Sequence, residues 1–422
     1  MNRGAVAMAA DSAVTIMGEH GTTIYQSVDK VFPLVDDAPI GVMIYNHAEI
    51  MGTPWESVLT LYRKDATGRK FDTVEAYAQD FFKFVDNNKD LFPEEQQQLE
   101  YLRMVAYLFG AVAREWDNEM RYYETSGQGS ARAKVGEIFA QVVKEVHALY
   151  QTQFDGSKRA DLVCFPNGLG ERLKRKYKAE IEQIIDSLEH YITELFPGFK
   201  ITEESRVLLR DMASFVVTKD AYFEGYTGIV FAGFGRKEQF PAMTAYFASG
   251  VLENTLKRSL DRSRKITAES GPAIMPFAQD RMIHTLVRGI DPDLLRYHYF
   301  TETLRLSRFL VQDIVKAVPG ISEAERQKFI QRYSEDNLSH ALGSFFDRLD
   351  QYSRRVHTEP ILRAVDNLPK MELAETAASL VKLNSFQLKV SGQPETVGGP
   401  VDVAIISLAD GLVMIRDSHT YA

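Results

Sequence analysis

The chain has 422 residues, of which 45% are hydrophobic and 25% are charged, and its formal net charge is −9 at pH 7. This composition is typical of a globular protein with a large core, and the lack of basic excess argues against general affinity for nucleic acid or anionic membranes. No apolar run reaches the length of a membrane span, and the first residues lack the pattern of a secretory signal. The single cysteine, Cys164, cannot form an internal disulfide. We therefore expect a cytoplasmic protein.

The first predicted elements are strands. Small and β-branched residues over 4–16 predict one strand, "GEHG" at residues 18–21 predicts a turn, and the run that starts at Thr22 predicts the partner strand of a hairpin. A third apolar strand is predicted over residues 40–45.

Helices follow. A helix is predicted to begin near Pro54, with Thr53 as its cap and Glu56 three residues after that cap. From about residue 70 to residue 222 the apolar spacing is almost wholly helical.

In the second half of the chain, predicted strands are again followed by predicted helices, and the chain ends with two predicted strands. "TGIVFAGFG" predicts a strand, and "FPAMTAYFASGVLENTLKRS" predicts two strands around a turn at Ser249–Gly250. A second helical block runs from about residue 281 to residue 367. The segment "MELAETAASLVKLNSF" predicts one more amphipathic helix, and the last two strands are predicted around the turn at residues 409–411.

Several of these segments together resemble a known family. "AVAMAADSAVTI", then "VDKVF", then an apolar strand that leads directly into a helix is similar to the opening of proteasome-type β-subunits and their bacterial relatives, which are N-terminal-nucleophile hydrolases. "GIVFAGFGRKEQFPAMTAYFASGVL" resembles the central strand pair of that family. "LAETAASLVKLNSF" and "VGGPVDVAIISLADG" resemble its last core helix and strand. The resemblance covers roughly a third of the chain, in the family's order.

The resemblance implies an α+β fold, namely a four-layer αββα sandwich with large helical insertions. The sandwich core would comprise residues 1–55, 226–290 and 366–422. Residues 56–225 would form a helical insertion, and residues 291–365 a second helical block. The family does not explain either insertion.

The resemblance also implies a reaction and its residues. In this class the hydroxyl of an N-terminal threonine attacks an amide bond, and the α-amine of that threonine serves as the general base. A lysine ammonium lowers the pKa values of both groups, and an aspartate holds that ammonium. Asp11 of "AADS" matches the aspartate and Lys30 of "VDKVF" matches the lysine. Each residue alone is equally consistent with a polar strand end.

Asn46 and His47 fall where the family has a glycine whose main-chain N–H contributes to the oxyanion hole. A main-chain N–H is kept by any residue except proline, so this departure from the glycine preserves the donor and narrows the site.

The nucleophile is missing from the matching position, because the family's threonine would lie ahead of Met1 and "MNRGAVAMAA" contains none. A truncated start is one hypothesis, favoured because an isolated first strand leaves main-chain groups unpaired. The other is a noncatalytic relative whose sandwich and helices serve assembly or recognition. Cleavage at Gly21–Thr22 would discard Asp11, so that step is interpreted as a turn. The polypeptide from Met1 is expected to lack peptidase activity.

No cofactor or metal site is predicted, because the histidines are scattered and "GFGRKE" lacks the third glycine of a dinucleotide fingerprint. The expected partners are a peptide or protein substrate, if the protein is active, and further copies of the chain in a homo-oligomer. Neither nucleic acid nor membrane is expected to be a partner.

Overall fold

The computed structural model describes residues 1–12, 14–18, 21–25, 29–125, 131–152, 158–223, 225–295, 302–320, 322–332, 338–391 and 400–415. It contains both helices and sheets, which confirms the α+β class. The chain divides into two compact units. The first unit comprises Met1–Val31, Glu238–Pro241 and Lys265–Ala422, and the second comprises Phe32–Lys237 and Ala242–Arg264.

The strands of the described residues lie at the beginning, middle and end of the chain. They are β1 (Val6–Asp11), β2 (Val14–Gly18), β3 (Gly21–Tyr25), β4 (Val31–Pro33), β5 (Ile40–Asn46), β6 (Glu49–Ile50), β7 (Thr53–Pro54), β8 (Thr227–Gly233), β9 (Ala242–Leu252), β10 (Thr255–Lys265), β11 (Val401–Ser407) and β12 (Gly411–Ile415).

The helices fall in two stretches between those strands. They are α1 (Trp55–Asp65), α2 (Val74–Asn87), α3 (Glu94–Thr125), α4 (Val135–Gln151), α5 (Leu169–Lys176), α6 (Lys178–Leu195), α7 (Glu203–Thr218), α8 (Arg281–Arg288), α9 (Thr303–Ala317), α10 (Glu323–Arg332), α11 (Leu338–Ser353), α12 (Glu359–Asp366) and α13 (Lys370–Ser391).

The first unit contains a three-stranded sheet in the order β1-β11-β12, in which both pairs of neighbours are antiparallel. Its register runs from Val6 opposite Ile406 to Asp11 opposite Val401. Helix α13 covers one face of this sheet, where small and β-branched side chains of the strands and the helix form one apolar cluster. Alternate residues of a strand point to opposite faces, so Asp11 lies on the same face as Ala9, at the end of the strand.

The second unit contains a five-stranded sheet in the order β10-β9-β8-β5-β4. Aromatic side chains join α2 to one face of it: the rings of Phe81 and Phe231 are 5.6 Å apart, and those of Phe82 and Tyr246 are 4.8 Å apart. The helices α3, α4, α6 and α7 share a separate core, which includes the fully buried Trp116, Phe139 and Leu209. Large apolar residues at helical spacing explain both clusters.

The strand predicted over residues 4–16 is interrupted at Ser12, which is a correction. β1 joins β11, whereas β2 pairs with β3 and forms the predicted hairpin with Gly18 opposite Gly21. The helix after β7 begins at Trp55, but the predicted cap is wrong. Thr53 pairs with Ile50 in a short two-stranded ladder, and the residue that precedes the helix is Pro54.

The turn predicted at Ser249–Gly250 is also wrong, because β9 continues to Leu252. The chain turns at Glu253 and Asn254, whose φ angles are 46° and 58°. Positive φ at two central residues is the signature of the tight hairpin turn that matches strand twist. Gly250 has a different purpose: a Cβ there would lie 2.1 Å from Glu100 Cγ, so only glycine lets α3 approach the strand this closely.

Candidate functional site

The predicted pair of charges is formed in the first unit. Lys30 Nζ lies 3.1 Å from Asp11 Oδ1, and the two side chains are only 11% and 14% exposed. A charge-assisted hydrogen bond of this kind is stronger than a neutral one and is poorly screened when solvent is excluded. The fold therefore holds an ammonium group at the end of β1, nineteen residues away from its carboxylate partner in sequence.

The end of β1 is anchored to the beginning of β11. Both the main-chain N–H and the hydroxyl of Ser12 donate to the carbonyl oxygen of Pro400, at 3.1 and 2.9 Å. The main-chain bond continues the pairing of β1 with β11 by one residue beyond Asp11 opposite Val401, and Pro400 has no N–H with which to donate back. The Asp11 carboxylate is consequently fixed in position relative to the sheet. Chemically, the ammonium that it holds can stabilise a developing anion or lower the pKa of a hydroxyl beside it.

The α-amine of Met1 is bound elsewhere. It donates to the carbonyl oxygen of Ala273 at 2.8 Å, and Ala273 N donates back to Met1 O at 2.9 Å. Burial lowers the pKa of this amine to about 6. Met1 precedes β1 whereas Asp11 ends it, and six extended residues span about 17 Å. The Met1 amine is thus at the opposite end of the strand from the Asp11–Lys30 pair.

The two remaining predicted residues lie in the second unit, at the end of β5. Asn46 has a φ of 71°, a left-handed conformation that asparagine tolerates, and its Nδ2 donates to the carbonyl oxygen of Tyr226 at 2.8 Å. The hydroxyl of Thr227 donates to His47 O at 2.9 Å and accepts from the Trp55 indole, also at 2.9 Å. These bonds fix the main chain at the point where β5 leaves the sheet.

Burial lowers the pKa of the His47 imidazole, and the positive charge of Arg103 lowers it further, against an opposing effect of Glu49. The ring is therefore neutral at neutral pH. The imidazole therefore contributes no positive charge at the end of β5.

The structure thus joins Asp11 to Lys30 in one unit and sets Asn46 beside His47 in the other. The first pairing is the contact that the resemblance implies. The catalytic roles of all four residues stay predictions.

Sequence reasoning missed Lys257, a residue of β10 that is 1% exposed. Its Nζ donates to the carbonyl oxygens of Val216 and Ala221, both at 2.6 Å, and lies 4.9 Å from the centre of the Tyr222 ring. Burial lowers the pKa of this ammonium to about 7. The segment "TLKRSLDRSRK" is polar on both faces, so its pattern contains no signal that one lysine points inward.

Among the residues that the structure describes, no group of three or more His, Cys, Asp or Glu side chains could hold a metal ion, and no helix is long and apolar enough to cross a membrane. Compared with known protein families, with curated proteins and with solved structures, the chain has no match. The resemblance to proteasome-type subunits therefore depends on the quoted residues alone.

Proposed function

We propose that the chain is a proteasome-like N-terminal-nucleophile hydrolase, a threonine-type peptidase in its family chemistry, with a four-layer αββα sandwich. The observation that supports this most strongly is the ion pair between Asp11 and Lys30. The motif match required these two side chains, nineteen positions apart, to meet at the end of the first strand. If the two short segments resembled the family only by chance, there would be no reason for these side chains to be in contact.

The burial of both sheets supports the proposed sandwich. In the first unit Ala9 faces α13, yet Met8 on the opposite face is only 4% exposed. In the second unit Phe231 packs against α2, yet Ala232 on the opposite face is only 1% exposed. A sheet that is buried on both faces needs a layer on each side. One helical layer and one further layer for each sheet is the pattern of an αββα sandwich.

In the proposed reaction a threonine hydroxyl beside Lys30 attacks the carbonyl carbon of a peptide bond. Asp11 keeps the ammonium in place, and the ammonium lowers the pKa of the hydroxyl and of the threonine α-amine that takes its proton. The main-chain N–H groups at Asn46 and His47 are proposed to bind the oxyanion. The substrate class is a peptide or protein, and we propose a cytoplasmic homo-oligomer without nucleic-acid or membrane partners.

The polypeptide from Met1 is proposed to lack this activity. Residues 1–10 contain no threonine, serine or cysteine. The Met1 amine is hydrogen-bonded to Ala273 and is not beside Lys30. Loss of the nucleophile in hydrolases of known mechanism reduces turnover by about 10⁶.

A noncatalytic scaffold or interaction protein is the second candidate. The observation that favours it is a row of exposed apolar side chains on α9: Leu306, Leu310 and Ile314 are 57%, 50% and 61% exposed. They follow one another at intervals of one helical turn. Exposed apolar rows of this kind mark protein–protein contacts.

The experiment that separates the two candidates begins with the codons ahead of Met1. If the first proposal holds, those codons encode in frame a threonine followed by an apolar strand, and a polypeptide that exposes this threonine hydrolyses fluorogenic peptide amides. A stop codon directly ahead of Met1, or an inactive extended polypeptide that folds, favours the scaffold.

A further inference from the structure

The three-stranded sheet of the first unit ends in an outer strand, β12, that lacks the usual barriers to strand addition. β12 is the last strand in the order β1-β11-β12, and it pairs with β11 on one side. Its five residues are glycine, leucine, valine, methionine and isoleucine, so it contains neither a charged residue nor a proline. An accessible apolar outer strand is a template on which another strand can pair.

The main chain of β12 has groups to offer to such a strand. In an antiparallel pair, the N–H and C=O groups of alternate residues point away from the partner strand. Within the described ranges of the chain, residues 411–415 make hydrogen bonds to β11 and to no other segment. One edge of β12 is therefore available for pairing.

Apolar side chains are exposed along the same edge. Val413 is 44% exposed, and Leu408, in the turn between β11 and β12, is 60% exposed. Val413 lies opposite Ile405, and Ile405 packs in the cluster that α13 covers. Opposite residues of a strand pair share a face, so α13 covers the middle of this face and leaves Val413 at its margin uncovered.

The other outer strands of the two larger sheets differ from β12. In β1, both Val6 and Met8 are only 4% exposed. β4 has three residues and ends in Pro33, which cannot donate a main-chain hydrogen bond. β10 contains five basic residues and one acidic residue, so pairing with a second β10 would bring like charges together. Among these strands, β12 alone combines exposure with an uncharged sequence.

A second copy of β12 complements this strand. In an antiparallel pair around a twofold axis at Val413, Leu412 lies opposite Met414 of the second copy, and Gly411 lies opposite Ile415 of the second copy. Every opposing pair is then uncharged, and no like charges meet. Such self-complementarity is what a twofold interface between identical chains requires. A charged peptide would find no opposite charge on the strand.

We infer that β12 pairs antiparallel with β12 of a second copy, which joins two three-stranded sheets into one six-stranded sheet. The inference rests on the homo-oligomer of the proposed function, for which it names the contact, and it does not depend on the peptidase chemistry.

Sedimentation velocity of the whole chain between ~1 and ~100 µM tests the inference, and a concentration-dependent dimer is expected. Val413→Lys would set two ammonium groups against each other at the axis, so it is expected to weaken the dimer at least about tenfold. Leu260→Lys is the matched control. It makes the same kind of change at a 54% exposed position of the outer strand β10, and it is expected to leave the dimer unchanged.

The outcomes separate the inference from the homo-oligomer. A chain that stays monomeric over the whole concentration range would overturn both. A dimer that Val413→Lys leaves as tight as that of the unaltered chain would overturn the pairing through β12 and keep the homo-oligomer.

A cross-link tests the register and does not depend on whether Val413→Lys folds. Opposite residues of an antiparallel pair have Cα atoms about 4.5 to 5.5 Å apart, which is within reach of a disulfide. Cys164→Ala removes the one native cysteine. In that background, Val413→Cys treated with copper phenanthroline is expected to give a covalent dimer that a reductant reverses. Leu260→Cys is the control and is expected to stay monomeric. No covalent dimer from Val413→Cys, or equal cross-linking of the two variants, would contradict the inferred pairing.

Discussion

Among the residues that the structure describes, each unit contains one buried lysine, and the two lysines differ in the kind of group that their Nζ contacts. Lys30 pairs with the Asp11 carboxylate at 3.1 Å. Lys257 is more deeply buried, and within the part of the chain that the structure describes its Nζ bonds to the carbonyl oxygens of Val216 and Ala221 and lies over the face of the Tyr222 ring. A carboxylate supplies a full opposite charge, whereas carbonyl dipoles and a ring do not. Burial therefore lowers the pKa of Lys257 to about 7.

The two lysines therefore differ in their partners, which are a carboxylate for Lys30 and carbonyl oxygens and an aromatic ring for Lys257. The Asp11–Lys30 pair sets the lysine side chain against a carboxylate at the end of β1, where the proposed chemistry needs a lysine. Lys257 instead serves the structure: Val216 is among the last residues of α7, where the helix dipole is negative and a cationic donor is favoured.

Lys30→Met is expected to lower the free energy of unfolding by about 3 kcal/mol, because it removes the cation from an ion pair that is largely buried. Urea unfolding at pH 7 measures this change. Lys257→Met is the matched control. At the same pH it is expected to cost only about 1 kcal/mol, because removing the ammonium also removes the penalty for burying it.

The double variant tests whether the cost comes from the pair itself. Asp11→Asn together with Lys30→Met is expected to cost less than the sum of the two single changes by at least about 1 kcal/mol. Strict additivity would show that the two side chains do not interact in solution.

The pH dependence of stability is expected to differ between the two lysines. The pKa of Lys257 is about 7 in the folded chain against an ordinary value of 10.5, so the unfolded chain binds more protons between these pH values. Stability therefore rises with pH in that window. From pH 7 to pH 9 the unaltered chain is expected to gain about 2 kcal/mol relative to Lys257→Met.

Lys30→Met should leave that gain in place, since Lys257 is intact in it. Parallel stability curves of the unaltered chain and Lys257→Met between pH 7 and pH 9 would show that Lys257 is not buried as described. Among the described residues, the charged or titratable groups that act on Lys257 are Asp220 and Cys164, and neither is removed by these variants.

The register that directs Lys257 inward depends on the position of the β9–β10 turn. Gly250→Ala is expected to destabilise the chain by about 1 to 2 kcal/mol, because its Cβ would meet Glu100 Cγ at 2.1 Å. Thermal unfolding measures it. In an open strand the same change would stabilise, so a stability gain would exclude the close approach of α3.

Glu253→Gly is expected to have the smallest effect, within about 0.5 kcal/mol of zero, since relief of the positive φ offsets the loss of the exposed pair with Arg172. A large loss of stability at this position would place the turn elsewhere in the hairpin.

The sequence predicted those features that depend on local pattern. The antiparallel pairing of β2 with β3, the strand β5 and the helix α13 follow from turn residues, apolar runs and helical spacing. The contact between Asp11 and Lys30 was predicted because the motifs specify which strand ends must meet. The turn predicted at Ser249–Gly250 was wrong because the sequence alone does not distinguish a glycine that makes room for a neighbouring helix from a glycine in a turn.

Other features depend on long-range packing and had no local signal. Lys257 is one of several charged residues in a strand with no apolar face, and only the fold shows that α7 ends beside it. The cavity beside β10 is likewise lined by residues 159–164 and by residues 258–260, which lie almost a hundred positions later in the chain. Threonine is a common helix cap, but Thr53 pairs with Ile50 in a two-stranded ladder and the helix begins two residues later.

The measurement that bears most directly on the central claim is peptidase activity in a polypeptide that exposes a threonine ahead of Met1, compared among the unaltered chain, Lys30→Met and Lys257→Met. We expect that Lys30→Met lowers kcat at least about 10³-fold, whereas Lys257→Met keeps activity within a few-fold of the unaltered chain. Full activity of a folded Lys30→Met polypeptide would contradict the role assigned to the Asp11–Lys30 pair.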